Sequence, residues 1–367
     1  MSSSVYGHVV NRSHLSKVPN HTIVTADWLR GRGIGVYDKH GMPPDDAATA
    51  IECLVDTDLR GVHSHGMMRL PIYTERLAKG GANPTPDLRI VAETPATAVV
   101  DGDAALGMVV SKRCMEIAIE KAREVGVGIV GARNSDHFGA CAHWAEMALA
   151  HDMIGIVTTN GGNIMAPWGG LTRTFGNDPL GVAVPAGKEW PIVLDMATSV
   201  AAGGKFDVAM RKGEKIPFGW AVDAKGNPTD DPKVARAGLV LPVGEHKGYG
   251  LTVIFEILAG VLTGANYSRH IPKGDPDVSR DVGHYFQAIS IEAFMGAAKF
   301  KARVDDLVSM VKSSELAPGF DRIVLPGEFE HEKRALYSKD GIPMITNVIE
   351  ELRELAERSG VAVPDVP

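Results

Sequence analysis

The stretch GVHSHGMMRLPIY at 61–73 places His63, Ser64, His65, Arg69 and Tyr73 within a few turns of chain. Imidazoles exchange protons near neutral pH, a guanidinium grips a carboxylate through two parallel hydrogen bonds, and the hydroxyls of Ser and Tyr add donors. Such a set could bind and turn over a small acid. The H-x-H pair, joined by His137, could instead hold zinc with one position open to water. No H-E-x-x-H signature supports that alternative, so no metal is expected.

His137 stands where VGIVGA (127–132), read as a buried strand, turns into GACAHWAEMALA (139–150), read as a helix. The dipole and free N–H groups at that helix start disfavour imidazolium, which leaves a neutral ring able to take up a proton. Asp195 closes the strand-like PIVLDM and is expected to orient the ring if its strand lies beside that of His137. Lys247, with Gly248 and Gly250, opens the most apolar helix of the chain, expected to be buried nearly all round. Glycines and a helix start there would let an anion approach. Each residue also has an ordinary reading: a structural histidine, a surface arginine or lysine, a buried tyrosine, a helix-capping serine.

The elements that must position these groups follow from pattern. PPDDAATAIECLVDTDLRG puts Ala47, Ala50, Ile51, Leu54 and Val55 on one helical face and ends at Gly61; a second helix runs from Pro71 to Gly80. His65 and Arg69 therefore lie in the connection between two helices. Short strands at LRIVAE and TAVVDG precede a helix over 107–125, and MIGIVTT, TFGNDPLGVAVPAG, PIVLDM and HYFQAISI read as further strands. Helices are expected to Lys312, over 327–338 and over 345–358. GRGIG at 31–35 lacks a preceding strand and reads as a turn, not a dinucleotide loop. His8, His14 and nearby His21 read as a polar lead-in. The expected organisation is a mixed α/β (α+β) chain: a helical domain split between 1–85 and 315–367, and an α/β domain at 86–314 with 205–245 as an irregular excursion.

Composition narrows the function. The chain has 367 residues and a net charge of −7 without long like-charged blocks, which argues against nucleic-acid or membrane-surface partners. Cys53, Cys114 and Cys141 form neither a disulfide framework nor a C-x-x-C site, which suits a reducing cytoplasm. The longest apolar run, LTVIFEILAGVL, contains Glu256 and is too short to span a bilayer.

The blocks LVDTDLRGVHSHGMMRLPIY, GARNSDHFGACAHWAEMAL, MAPWGG, VLDMATS, GEHKGYGL, DVGHYF and VKSSELAPGFDRIVLPGE resemble, in order, those of the malate/L-lactate dehydrogenase family. That family also holds sulfolactate, ureidoglycolate, diketogulonate and piperideine-carboxylate enzymes. The resemblance implies a non-Rossmann NAD(P)-binding fold, NAD or NADP as cofactor, a homodimer, and hydride transfer between a 2-hydroxy acid and its 2-oxo acid. It implies His137 as acid/base, Arg69 as carboxylate grip, and His65 and Tyr73 as pocket wall. Ser64, Asn160, Asp195, Met196, Ala197, Lys247 and Gly248 are implied as cofactor cradle, so Asp195 carries two alternative roles. Where the family often has G-T-N-P this chain has Gly176, Asn177, Asp178 and Pro179. Asn177 is then an expected substrate contact, and Asp178 would repel a second substrate carboxylate if it faced the pocket. A cyclic imino acid reductase or a ureidoglycolate dehydrogenase is the alternative within the resemblance; a zinc hydrolase or lyase and a non-catalytic sensor are the alternatives outside it.

Overall fold

The computed structural model describes residues 20–201 and 203–362; the lead-in histidines His8 and His14 lie outside them. Strand β1 (His21–Val24) pairs antiparallel with β12 (Ile342–Ile345), joining the two ends of the chain. Thr25 caps helix α1 (Ala26–Lys39) by accepting from the Trp28 amide at 3.1 Å. That helix contains GRGIG, which is therefore not a turn. Gly33 is needed where α1 crosses α2 (Pro44–Leu59): a Cβ there would come within 2.5 Å of Ile51 Cδ1. The expected face of α2, Ala47 to Val55, is wholly buried, and α3 (Leu70–Lys79) ends on Gly80 in the left-handed conformation.

Strands β2 (Arg89–Glu93) and β3 (Thr97–Asp101) lead through α4 (Gly107–Val125) to β4 (Val127–Ser135). Then follow α5 (Cys141–Glu146), β5 (Met153–Thr159), β6 (Leu180–Val184) and β7 (Ile192–Met196). With β11 (Val282–Ser290) they form a seven-stranded sheet in the order β2-β3-β4-β11-β5-β6-β7. Only β3 and β4 run parallel; every other neighbour pair is antiparallel. This is not the all-parallel sheet of a dinucleotide fold with a glycine fingerprint. Strands β4 and β7 are not neighbours, because β11, β5 and β6 lie between them. One buried apolar cluster runs from α1 and α2 through α4 to β4, β5 and β11, so the first helices and the sheet share a core.

The segment expected to be irregular has structure of its own. Helix α6 (Gly203–Lys212), strands β8 (Ala221–Val222) and β9 (Pro228–Thr229), helix α7 (Pro232–Ala237) and strand β10 (Leu239–Val240) enclose Met165, Phe206, Ile216, Ala221, Ala235 and Val240. Apolar residues too sparse to show a period still suffice for a small satellite core. Helix α8 (His246–Glu256), continued by a π turn at Ile257–Val261, also departs from expectation. It buries Gly248, Thr252, Phe255 and Ala259 but leaves Leu251, Ile254, Ile257, Val261 and Leu262 exposed. Helices α9 (Ala297–Lys312), α10 (Glu328–Asp340) and α11 (Thr346–Arg358) complete the chain. No described helix is long and apolar enough to cross a membrane.

The α4–β4 contact is set by Gly128, where a Cβ would collide with the Ala118 carbonyl. Gly128→Ala should cost about 1–3 kcal/mol or more by overpacking, read as a lower urea midpoint; an unchanged midpoint would show that this contact yields.

Candidate active site

The 61–73 segment is shaped by a residue with no obvious chemical part to play. Asp58, on the last turn of α2, is completely buried. Its Oδ1 pairs with His63 Nδ1 at 2.7 Å and its Oδ2 accepts from the Met67 amide at 2.7 Å. Gly66 packs so closely that a Cβ would strike this carboxylate. The chain is thereby folded into two short 3₁₀ turns, His63–His65 and Met67–Arg69. His63 is bound to Asp58 and stacks on Tyr337 at 6.3 Å, so it does not join the other two histidines in a zinc site. Among the described residues no group of three or more His, Cys, Asp or Glu side chains is arranged to hold a metal.

His65, Arg69 and Tyr73 do meet His137. The His65 and His137 rings stack at 5.7 Å, and the Tyr73 ring lies 5.9 Å from His137. Arg69 Nε donates to the Ser64 carbonyl at 2.7 Å, and Ser64 Oγ lies 2.9 Å from His65 Nδ1. Helix α6 rests on this group, since a Cβ at Gly204 would approach Ser64 Cβ to 2.9 Å and Arg69 Nη2 to 3.1 Å. Across the site the Tyr73 hydroxyl is 2.6 Å from His137 Nδ1, and the Gly139 amide donates to the same nitrogen at 3.2 Å. An amide can only donate, so the Nδ1 lone pair faces it and the ring hydrogen belongs on Nε2.

The neutral ring expected from the sequence is found, with a different cause. Burial lowers the His137 pKa well below its ordinary value, and His65, Arg69, Arg280 and His284 add to the effect. Burial and the Arg69 guanidinium likewise push His65 down to about 4. The helix start is engaged elsewhere: the Ala142 amide of α5 donates to Asp195 Oδ2 at 2.8 Å. Asp195 therefore caps α5 instead of orienting His137, because its strand is separated from β4 by three others.

Asp136 holds His137 from behind. It is 1% exposed; Oδ1 accepts from the His137 amide at 2.7 Å and Oδ2 forms a short ion pair with Arg76 of α3. Arg76 also donates to the carbonyls of Gly81, Asp275 and Val278. Neither residue is signalled by local pattern, apart from Arg76 interrupting the apolar face of its helix.

The expected cofactor residues converge only in part. Asp195 is exposed at the end of β7, followed by half-buried Met196 and Ala197. Thr198 ties this segment to Asn177, whose carbonyl accepts from the Thr198 amide at 2.8 Å, and to α8, through Thr252 Oγ1 at 2.7 Å. Exposed Lys247 stands at the start of α8, which no side chain caps. Gly248 is buried there because a Cβ would strike the Val243 carbonyl. Asn160 differs: its amide nitrogen donates to Glu256 and the Asn266 carbonyl and its oxygen accepts from Gly283, so its side chain is saturated within the protein.

Residues 24–353 match the family model described as malate/L-lactate dehydrogenase. The chain belongs to the malate/L-lactate dehydrogenase family. It is 44% identical over 334 residues to an L-sulfolactate dehydrogenase of Methanocaldococcus jannaschii, covering 90% of this chain and 96% of that one. It is 41% identical over 350 residues to a malate dehydrogenase of Pyrococcus horikoshii, covering 93% and 97%. The crystal structure of a malate dehydrogenase from Entamoeba histolytica superposes with a TM-score of 0.91 at 32% identity, covering 94% of this chain and 100% of that one.

Asp178 does not face solvent. Asp178 is completely buried beside Glu256, itself 3% exposed, and both Asp178 oxygens and Glu256 Oε2 lack a fixed hydrogen-bond donor. Burial and the Glu256 carboxylate raise the Asp178 pKa well above its ordinary value, which favours the protonated form of Asp178. The folded state thus holds a proton that the unfolded chain releases near its ordinary pKa. That contribution is complete at low pH and is lost as pH rises through the raised value. Asp178→Asn supplies a permanent donor, so its stability relative to the wild type should grow as pH rises above the ordinary carboxylate range. Parallel urea-unfolding stabilities as pH rises would contradict the raised Asp178 pKa.

Proposed function

We propose that the protein is an NAD(P)-dependent dehydrogenase that interconverts a small 2-oxo acid and its 2-hydroxy acid. The observation that carries this reading is a neutral His137, fixed between the Tyr73 hydroxyl and the Gly139 amide, beside the Arg69 guanidinium. Relatives named for malate and sulfolactate support an acid as substrate.

Arg69 grips the substrate carboxylate and turns C2 toward His137. A nicotinamide cofactor, when bound, supplies or accepts the hydride. The uncapped start of α8 with Lys247 suits the anionic part of such a group, and exposed Asp195 with Met196 and Ala197 forms the adjoining edge. Asn160 supports this edge from below and makes no contact of its own.

In the reductive direction His137 Nε2–H bonds the oxo oxygen and passes its proton there as C2 is reduced. The Tyr73 hydroxyl proton moves onto Nδ1 as Nε2 gives up its own, and after product leaves a solvent proton returns to Nε2 while Nδ1 gives its proton back to Tyr73. Burial raises the Tyr73 pKa, which keeps the phenol protonated at rest, while Arg69 lowers it and so favours the transient phenolate. The resting tautomer is therefore the one that suits reduction.

We also infer a homodimer that covers Leu251, Ile254, Ile257, Val261 and Leu262 of the α8 region. Three buried free cysteines suit a reducing cytoplasm.

His137→Ala should lower turnover by about two or more orders of magnitude while retaining reduced-cofactor binding, measured by steady-state kinetics and fluorescence titration. Unchanged turnover would sink the assignment. Light scattering should give twice the chain mass for the wild type and a lower mass for Ile254→Asp; a wild-type monomer would overturn the dimer.

A further inference from the structure

Arg280 is a second cation at the site that no sequence motif marks. Strand β11 pairs antiparallel with β4 so that Val282 lies opposite Ser135. Beyond this pair Arg280, two residues before Val282, and His137, two residues after Ser135, leave the same end of the sheet. Arg280 is thus carried to the acid/base by the ladder itself.

Its partners do not account for its charge. Arg280 Nη1 is 3.5 Å from Asp136 Oδ1, an oxygen that already accepts from the His137 amide at 2.7 Å. The other oxygen of Asp136 is taken by Arg76, which is 1% exposed and bound to three carbonyls as well. Arg76 alone therefore balances the single charge of Asp136. Arg280 Nε is buried with no hydrogen-bond partner, although the side chain keeps 25% of its surface. A buried guanidinium N–H without an acceptor carries a free-energy cost that a ligand oxygen would relieve.

The electrostatics agree with that geometry. Both Arg69 and Arg280 lower the pKa of His137 and of Tyr73, so both act on the same pair of rings. His65, His137 and Tyr73 are neutral, which leaves the two guanidiniums as the charges offered to a substrate. A monoanion satisfies one of them.

We propose that Arg280 selects substrates with a second anionic group, a 3-carboxy or 3-sulfo 2-oxo acid, by pairing with that group while Arg69 holds the 2-carboxylate. This rests on the dehydrogenase reading of the same site. A substrate ending in a methyl group leaves Arg280 Nε unpaired, and sites built around a polar partner discriminate strongly against ligands that lack it.

The test compares oxaloacetate, 3-sulfopyruvate and pyruvate as substrates of the purified full-length protein and its Arg280→Gln and Arg280→Lys variants. Arg280→Gln should lower kcat/KM for both dianions by about 100-fold, mainly through KM, and change pyruvate by less than about threefold. Arg280→Lys should restore part of the dianion activity. Equal losses on all three substrates, or none, would overturn the assignment and leave the dehydrogenase reading standing. A second measurement needs no turnover: L-malate should raise the Tm of the wild type and of Arg280→Lys more than L-lactate does, and this difference should vanish in Arg280→Gln. If it vanishes although no oxo acid is reduced by the wild type, the anion site stands and the dehydrogenase reading fails. Equal protection by both ligands in all three proteins would overturn the anion site.

Discussion

A single buried carboxylate, that of Asp136, joins the two halves of the site. It carries the His137 backbone on one oxygen and Arg76 of α3 on the other, so His137 is locked to the helix that bears Tyr73. A buried charge persists only when it is paired and hydrogen-bonded, and Arg76 meets both conditions. The 2.6 Å contact between Tyr73 and His137 follows from this joint. Asp58 performs the corresponding task on the other side, fixing the 3₁₀ turns that present His65 and Arg69.

The electrostatic character of the site follows from the same packing. His65 and His137 are kept neutral by burial and by guanidiniums, and His284, beneath them, is pushed down to about 3 by burial between Thr159 and Ser135. Three histidines in one region thus contribute no charge at neutral pH, and the cations that remain are arginines. Such a site attracts carboxylates while its imidazoles stay free to donate and accept protons.

Local signals in the sequence recover much of this. Prolines and glycines bound α2 and α3, apolar periodicity outlines α4, and the strand-to-helix turn locates His137. What they miss depends on contacts distant in sequence. GRGIG is helical because Gly33 meets Ile51, not because of any local preference. Asp195 was expected beside His137, but the insertion of β11 between β4 and β5 moves its strand away. The same insertion brings Arg280 to the site, which nothing near Arg280 announces. The exposed face of α8 is hidden in the sequence because a helix that packs inward on one side and is apolar on both looks uniformly buried. Gly248 shares its block with Lys247 yet packs against the Val243 carbonyl, and the Asn160 side chain is bound within the protein, distinctions that only close approaches and hydrogen bonds reveal.

We propose that this arrangement reduces a 2-oxo acid with a nicotinamide cofactor. The most direct measurement incubates the wild-type protein with NADH or NADPH and each member of a panel of 2-oxo acids and a cyclic imine. The near-ultraviolet absorbance of the reduced cofactor is followed with and without a chelator. The absorbance should fall only when a 2-oxo acid is present, and equally in both conditions. No fall with any 2-oxo acid, or a fall abolished by the chelator, would contradict this expectation.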